Sequence, residues 1–191
     1  GMKRERARAE QAFELAEQGK TVCVISSGDA GIYGMTPLVY EMKRERNSNV
    51  EIVSLPGISA FQKAASLLGA PVGHDFCVIS LSDLMTPWEK IEKRLRAAAA
   101  ADFVICLYNP SSIKRSDYLR RACQIIFEEA GQDLVCGVVK SAGRDGEHAE
   151  VMHLSELEEY PADMFTTVFI GNSETRVMDG RMVTPRGYQN I

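Results

Sequence analysis

Asp29 stands among glycines in the run Ser26-Ser27-Gly28-Asp29-Ala30-Gly31-Ile32-Tyr33-Gly34-Met35. A carboxylate there can accept hydrogen bonds from hydroxyls or an amine, while the glycines let a ligand approach the backbone. The same residues also suit a strand-to-helix connection that binds nothing, because a glycine-rich loop alone is a weak signal. Further polar loops follow: Leu55-Pro56-Gly57-Ile58-Ser59-Ala60, Leu81-Ser82-Asp83, Tyr108-Asn109-Pro110-Ser111-Ser112, and Lys140 to Gly146. Asp29, His74 and Asp83 are of types that move protons. Asp83 could equally cap a helix, and His74 satisfy a turn. Lys114, Arg115, Lys140 and Arg144 follow such loops and could hold carboxylates by charge-assisted hydrogen bonds, or simply be solvated. No nucleophilic triad is visible. His74, His148 and His153 show no metal-ligand spacing, so no metal site is expected. Neither a GxxxxGK[ST] loop nor a GxGxxG loop follows a strand, which disfavours a generic nucleotide-binding domain.

The elements that must carry these loops alternate. Residues 3–18 read as an amphipathic helix through Ala9, Ala12, Phe13, Leu15 and Ala16, stopped by Gly19. Gly1-Met2 reads as a cloning scar ahead of a start Met. Thr21-Val22-Cys23-Val24-Ile25 reads as a buried strand, and a helix over 36–46 follows with Thr36 as N-cap and Pro37 behind it. A strand at 50–54 and a helix from Ala60 to Leu68 complete a parallel arrangement. Gly69 to Asp75 breaks the pattern and marks a boundary, giving domains 1–73 and 74–191. Beyond it the sequence predicts strands at 76–80, 103–107, 134–139, 147–153 and 166–170. Helices are predicted from Thr86-Pro87 to about 101, over 116–130 with Ser116 as cap, and at 154–159. A hairpin at 175–184 should turn on Asp179-Gly180 in type I′ geometry.

The 191 residues are 45% hydrophobic and 25% charged, an ordinary globular composition, and their net charge of −4 argues against nucleic-acid binding. No apolar run approaches the roughly 20 residues needed to cross a bilayer. The five cysteines are odd in number and lack CxxC spacing; they read as small buried hydrophobes of a cytoplasmic protein.

Taken in order, SSGDAGIYGM, LPGISAF, SLSDLMTPW, LYNPSS, VVKSAGRDGEH and MFTTVFIGNSET resemble the tetrapyrrole methylases, over nearly the whole chain. The first and third stretches resemble most the branch that methylates a corrin precursor at C17 with ring contraction in cobalamin biosynthesis. The resemblance implies an α/β fold of two α/β/α domains, the first parallel and truncated, the second with a mixed sheet. It implies S-adenosylmethionine as donor, a tetrapyrrole as substrate and a homodimer. Residue by residue it assigns the donor to Gly28, Asp29, Ala30, Gly31, Ile32 and Tyr33, and to Ser59 and Ala60. Tyr108, Asn109, Ala142, Thr166 and Thr167 complete that set. Ser82, Asp83 and His74 fall near the substrate, with Asp83 and His74 as candidate acid and base. The family also opens on a strand and a GxGPG-type loop that nothing here matches, so the chain is expected to begin at the family's third helix.

Overall fold

The computed structural model describes residues 4–112 and 115–188; the Gly1-Met2 scar and Lys114 lie outside them. Its contacts divide it into residues 1–59 and 60–191.

In the first unit, α1 (Glu5–Glu17) packs on α2 (Thr36–Glu45). Ala9, Phe13 and Met42 are fully enclosed there, flanked by Leu38, Val39, Val50 and Ile52. This is the apolar stripe expected along residues 3–18. The Arg46 guanidinium lies 5.7 Å from the Phe13 ring centroid and pairs with Glu17 at 2.8 Å. Thr36 is the first residue of α2 rather than its cap, and its N–H donates to Ala30 O at 3.0 Å. The two expected strands do not form. Residues 21–26 and 50–54 run without turn or bend, but belong to no sheet among the described residues. An apolar run becomes a strand only against a neighbour that takes its N–H and C=O groups, and these two runs are not bonded to each other. Cys23 is accordingly exposed, and Ile25 is 91% exposed, where burial was expected.

The second unit holds two sheets, one of five strands and one of three. In chain order it comprises α3 (Ala60–Leu68), β1 (Gly69–Ala70), β2 (Phe76–Ser80), α4 (Trp88–Ala100), β3 (Val104–Tyr108) and α5 (Tyr118–Ala130). Then come β4 (Val135–Lys140), β5 (His148–His153), α6 (Leu154–Leu157), β6 (Thr166–Ile170), β7 (Arg176–Met178) and β8 (Arg181–Val183). The five-stranded sheet runs β2-β3-β6-β4-β5, parallel between β2 and β3 and antiparallel elsewhere, so it is mixed as expected. Period-two alternation sorts its residues. Ile105, Leu107, Val138, Val168 and Ile170 face a core shared with α4, α5 and α6. Cys106, Val139 and Phe169 face Ala64, Ala65 and Leu68 of α3. A Cβ at Gly137 of β4 would lie 2.6 Å from Leu68 Cδ1, so the glycine lets α3 seat closely. Helix α3, expected with the first domain, thus makes its contacts here. In the three-stranded sheet, ordered β1-β8-β7, β7 and β8 form the expected hairpin, with Asp179 and Gly180 at φ 49° and 71°. Asp117, not Ser116, immediately precedes α5.

Candidate functional site

In the first unit Asp29 ties two loops together. Gly31 N and Ile32 N donate to its Oδ1 at 2.8 and 3.2 Å, and Gly57 N donates to Oδ2 at 3.0 Å. These donors, Gly57 first and then Gly31, hold the carboxyl below its ordinary range, against a small opposing effect of burial. The loops meet so closely that a Cβ at Gly57 would lie 2.3 Å from Gly28 O. Tyr33 takes a positive φ of 52° and is exposed. Ser59 is buried where this unit ends. Asp29 is therefore a bridge whose oxygens already accept backbone N–H groups, and Gly28, Ala30, Gly31 and Ile32 present backbone around it.

In the second unit the sheet register gathers the other residues at one edge. Ser80 pairs with Tyr108 at the carboxyl ends of parallel β2 and β3. Leu107 lies opposite Val168, which carries Tyr108 level with Thr167, while Lys140 pairs with Thr166. The carboxyl ends of β2, β3 and β4 thus meet the amino end of β6. Carboxyl ends of parallel strands are where open α/β sheets bind ligands. Tyr108 Oη accepts from Phe61 N at 2.8 Å, satisfying a free donor of the first turn of α3 beside Ala60. Asn109, at φ 54°, donates from Nδ2 to Ser80 Oγ at 3.0 Å. Thr166 is buried and donates from Oγ1 to Asp163 Oδ1 at 2.9 Å. Lys140 pairs with Asp163 at 3.0 Å. Partial burial would raise the Asp163 carboxyl, but its bonds to Lys140 and Thr166 prevail and hold it low. Ala142 follows β4 and packs on the α3 side.

Beyond the ends of β2 and β3, two loops are clamped together. Arg115 donates to Ser82 Oγ at 2.7 Å and to Ser112 Oγ at 3.1 Å, and stands 3.5 Å from Asp83 Oδ1. Tyr118 Oη donates to Asp83 Oδ2 at 2.7 Å, and this bond raises the phenol above its usual range. The Tyr118 ring packs tilted against Trp88, with centroids 4.4 Å apart and planes at 50°, and the Arg121 guanidinium lies 4.0 Å from the Trp88 ring centroid. His74 does not join them. It lies ahead of β2, at the strand's opposite end, with Nδ1 accepting from Asp75 N at 2.8 Å. Of the proposed carboxylate holders, Arg115 is largely enclosed beside Asp83, whereas Arg144 lies 5.3 Å from the Phe165 ring centroid. The sequence reading passed over Tyr118; the signal was an aromatic at the start of α5, following a polar loop at a strand end. Among the described residues no His, Cys, Asp and Glu cluster could hold a metal, all five cysteines are unbridged, and no helix is long and apolar enough to cross a membrane.

Two units whose glycine-rich and strand-end loops carry these motifs define a class, and residues 2–158 match the family model for Tetrapyrrole (Corrin/Porphyrin) Methylases. The chain belongs to that family. It is 52% identical, over 98% of its length and 78% of the relative's, to the "Probable cobalt-factor III C(17)-methyltransferase" of Salmonella typhimurium. It is 51% identical over 99% of its length to the "Cobalt-factor III methyltransferase" of Priestia megaterium, spanning only 36% of that protein. It is 42% identical to the "Precorrin-3B C(17)-methyltransferase" of a Sinorhizobium species, covering 95% of the chain and 74% of the relative. The crystal structure of the methyltransferase CobJ superposes with a TM-score of 0.88 at 38% identity, over 95% of this chain and 77% of that one.

Proposed function

We propose that this chain carries the methyl-transfer machinery of an enzyme that moves a methyl group from S-adenosylmethionine to C17 of a corrin precursor, with ring contraction. The observation that carries this reading is the 52% identity to a relative named for that reaction across nearly the whole chain. Relatives named for cobalt-factor III range from 52 to 40% identity and so bracket the one named for precorrin-3B, at 42%; the reading therefore names the corrin precursor and not its metal.

The residues suit the donor. A sulfonium supplies an activated methyl with a neutral leaving group, so the protein needs to orient and exclude water rather than build a nucleophile. The Gly28–Tyr33 loop, drawn against Gly57 by Asp29, offers a backbone-lined seat. Tyr108, Asn109, Ala142, Thr166 and Thr167 offer small and hydroxyl-bearing groups at one sheet edge. In this reading Asp83, which Tyr118 bonds and Arg115 approaches, exchanges a proton with substrate, and Arg115 meets one of its carboxylates; the two contacts support those roles. His74 stands at the other end of β2 from Asp83, so this reading assigns the proton to Asp83 alone. The working enzyme is a homodimer in the cytoplasm, a state that sedimentation of the native protein checks.

A second reading, a folded but catalytically incomplete fragment, is favoured by the unpaired runs of the first unit and by the 36% span of the Priestia protein. Calorimetry with S-adenosylhomocysteine separates the two. Saturable one-to-one heat with this chain is expected. Heat only with the longer Salmonella relative selects the fragment reading, and heat with neither overturns the methyl-transfer assignment.

A further inference from the structure

Asp83 lies on the loop between β2 and α4, with its side chain 36% exposed. Helix α4 starts behind Pro87 without a side-chain cap, so this carboxylate is not spent on the helix. It differs in this from Asp29, whose oxygens three backbone N–H groups already occupy. An exposed loop carboxylate with no partner would hop between rotamers in nanoseconds or less. Among the described residues the directed bond to Asp83 comes from Tyr118, Oη to Oδ2 at 2.7 Å. Arg115 stands 3.5 Å from Oδ1, longer than a good hydrogen bond, and donates instead to Ser82 and Ser112. Oδ1 thus keeps its lone pairs.

The hydroxyl that makes this bond is itself aimed from rigid ground. Tyr118 opens α5 and Trp88 opens α4, two helices packed on one core. The Arg121 guanidinium, one turn along α5, lies 4.0 Å from the Trp88 ring centroid and 5.3 Å from that of Tyr118. Trp88 Nε1 is buried with no hydrogen-bond partner among the described residues, so ring contacts and not a hydrogen bond set its place. Groups carried on helices hold a geometry more closely than groups on loops. The loop supplies the carboxylate, and the helix ends supply its orientation.

We infer that Tyr118 is a positioning residue for the reaction: it fixes the Asp83 carboxylate by Oδ2 and leaves Oδ1 free to take a proton from substrate. The inference rests on the reading of Asp83 as the group that exchanges that proton. In the step, an Oδ1 lone pair forms the new O–H bond, and the electron pair of the broken bond stays on the substrate. Tyr118 keeps its own proton throughout and acts only through Asp83.

The test compares wild type, Tyr118→Phe, Asp83→Asn and the double variant. Phe keeps the ring against Trp88 and removes only the donor. Trp88 is the single tryptophan of the chain, so its emission reads that packing directly. Emission and circular dichroism should be unchanged. Two readouts then report on Asp83. Without ligand, three-bond couplings across its Cα–Cβ bond should show one rotamer in wild type and averaging in Tyr118→Phe. In turnover with S-adenosylmethionine and the corrin precursor, kcat of Tyr118→Phe should fall about 10- to 100-fold, with both KM values within about twofold of wild type. In the Asp83→Asn background the same change should cost no further kcat, because the two residues act as a unit. An equal loss in that background would mean that Tyr118 acts elsewhere, and would overturn the inference. So would a Tyr118→Phe variant with wild-type kcat, or with Asp83 still in one rotamer. Loss of its circular dichroism would make the residue structural and overturn the inference equally. A wild type that releases no S-adenosylhomocysteine overturns the reading on which the inference rests; the Asp83 rotamer then decides alone whether Tyr118 positions it.

Discussion

Val22-Cys23-Val24-Ile25 in the first unit and Val104-Ile105-Cys106-Leu107 in the second are nearly the same peptide in composition, yet they meet opposite fates. The second is a strand bonded on both sides, between β2 and β6, and all four residues are buried. The first bonds to no neighbour, with Cys23 exposed and Ile25 91% exposed. Intrinsic preference is common to both; tertiary pairing is what differs. The second unit can be expected to melt as a cooperative body around its two-sided core. The first rests on the contact of α1 with α2 and on loops drawn together at Asp29.

Phe169→Ala strikes the comparison hardest. Phe169 is fully buried on the α3 side of the sheet, between Cys106 on β3 and Gly137 on β4. Truncation should cost roughly 3–5 kcal/mol through lost contacts and a cavity. Chemical denaturation followed by circular dichroism checks it; a loss under 1 kcal/mol would show the second unit to be far less tightly packed than its burial implies. Gly57→Ala acts on the other side. Its new Cβ would need to displace Gly28 O from 2.3 Å, so the loops must part. The cost is roughly 1–3 kcal/mol, as for overpacking elsewhere, and it falls on the first unit. Exchange at the Gly31, Ile32 and Gly57 amides should quicken and binding of S-adenosylhomocysteine should fail, while amides of β3 and β6 keep their protection. If those sheet amides open together with the loops, the two regions are one cooperative body and the contrast drawn above is void.

Much of the second unit was legible because its apolar runs are continuous and its turns carry Gly, Asp and Asn. The strand order β2-β3-β6-β4-β5 was not, since a register such as Leu107 opposite Val168 joins residues 61 positions apart. That register is what gathers Tyr108, Thr167 and Lys140 at one edge. In the first unit, composition read as strand where pairing was lacking. The glycine loop was recognised, but the bond between Asp29 and Gly57, 28 positions apart, was invisible, so Asp29 read as a free acceptor rather than a bridge. Tyr118 was missed because its partner Asp83 lies 35 positions away.

The finest probe is the Asp29 carboxylate itself. Three N–H groups face it, whereas the carboxamide of Asp29→Asn has a single acceptor oxygen and would turn its own N–H₂ toward one of them. Its folded-state pKa is lowered by those bonds, chiefly that from Gly57. A carboxyl lowered on folding stabilises the fold above its unfolded value, near 3.9, and loses that contribution as pH falls through the folded value. The wild-type loops should therefore stay joined from neutral pH down past the ordinary carboxylate range and part only below it. In the variant they should be loosened at every pH. The Gly57 amide proton shift, followed by NMR from pH 7 to pH 2 beside the Asp29 carboxyl carbon, reads both states. A Gly57 shift that moves at the ordinary aspartate pKa would show that the bridge does not hold the loops. A shift that ignores the substitution would say the same, and the first unit would then rest on α1 and α2 alone.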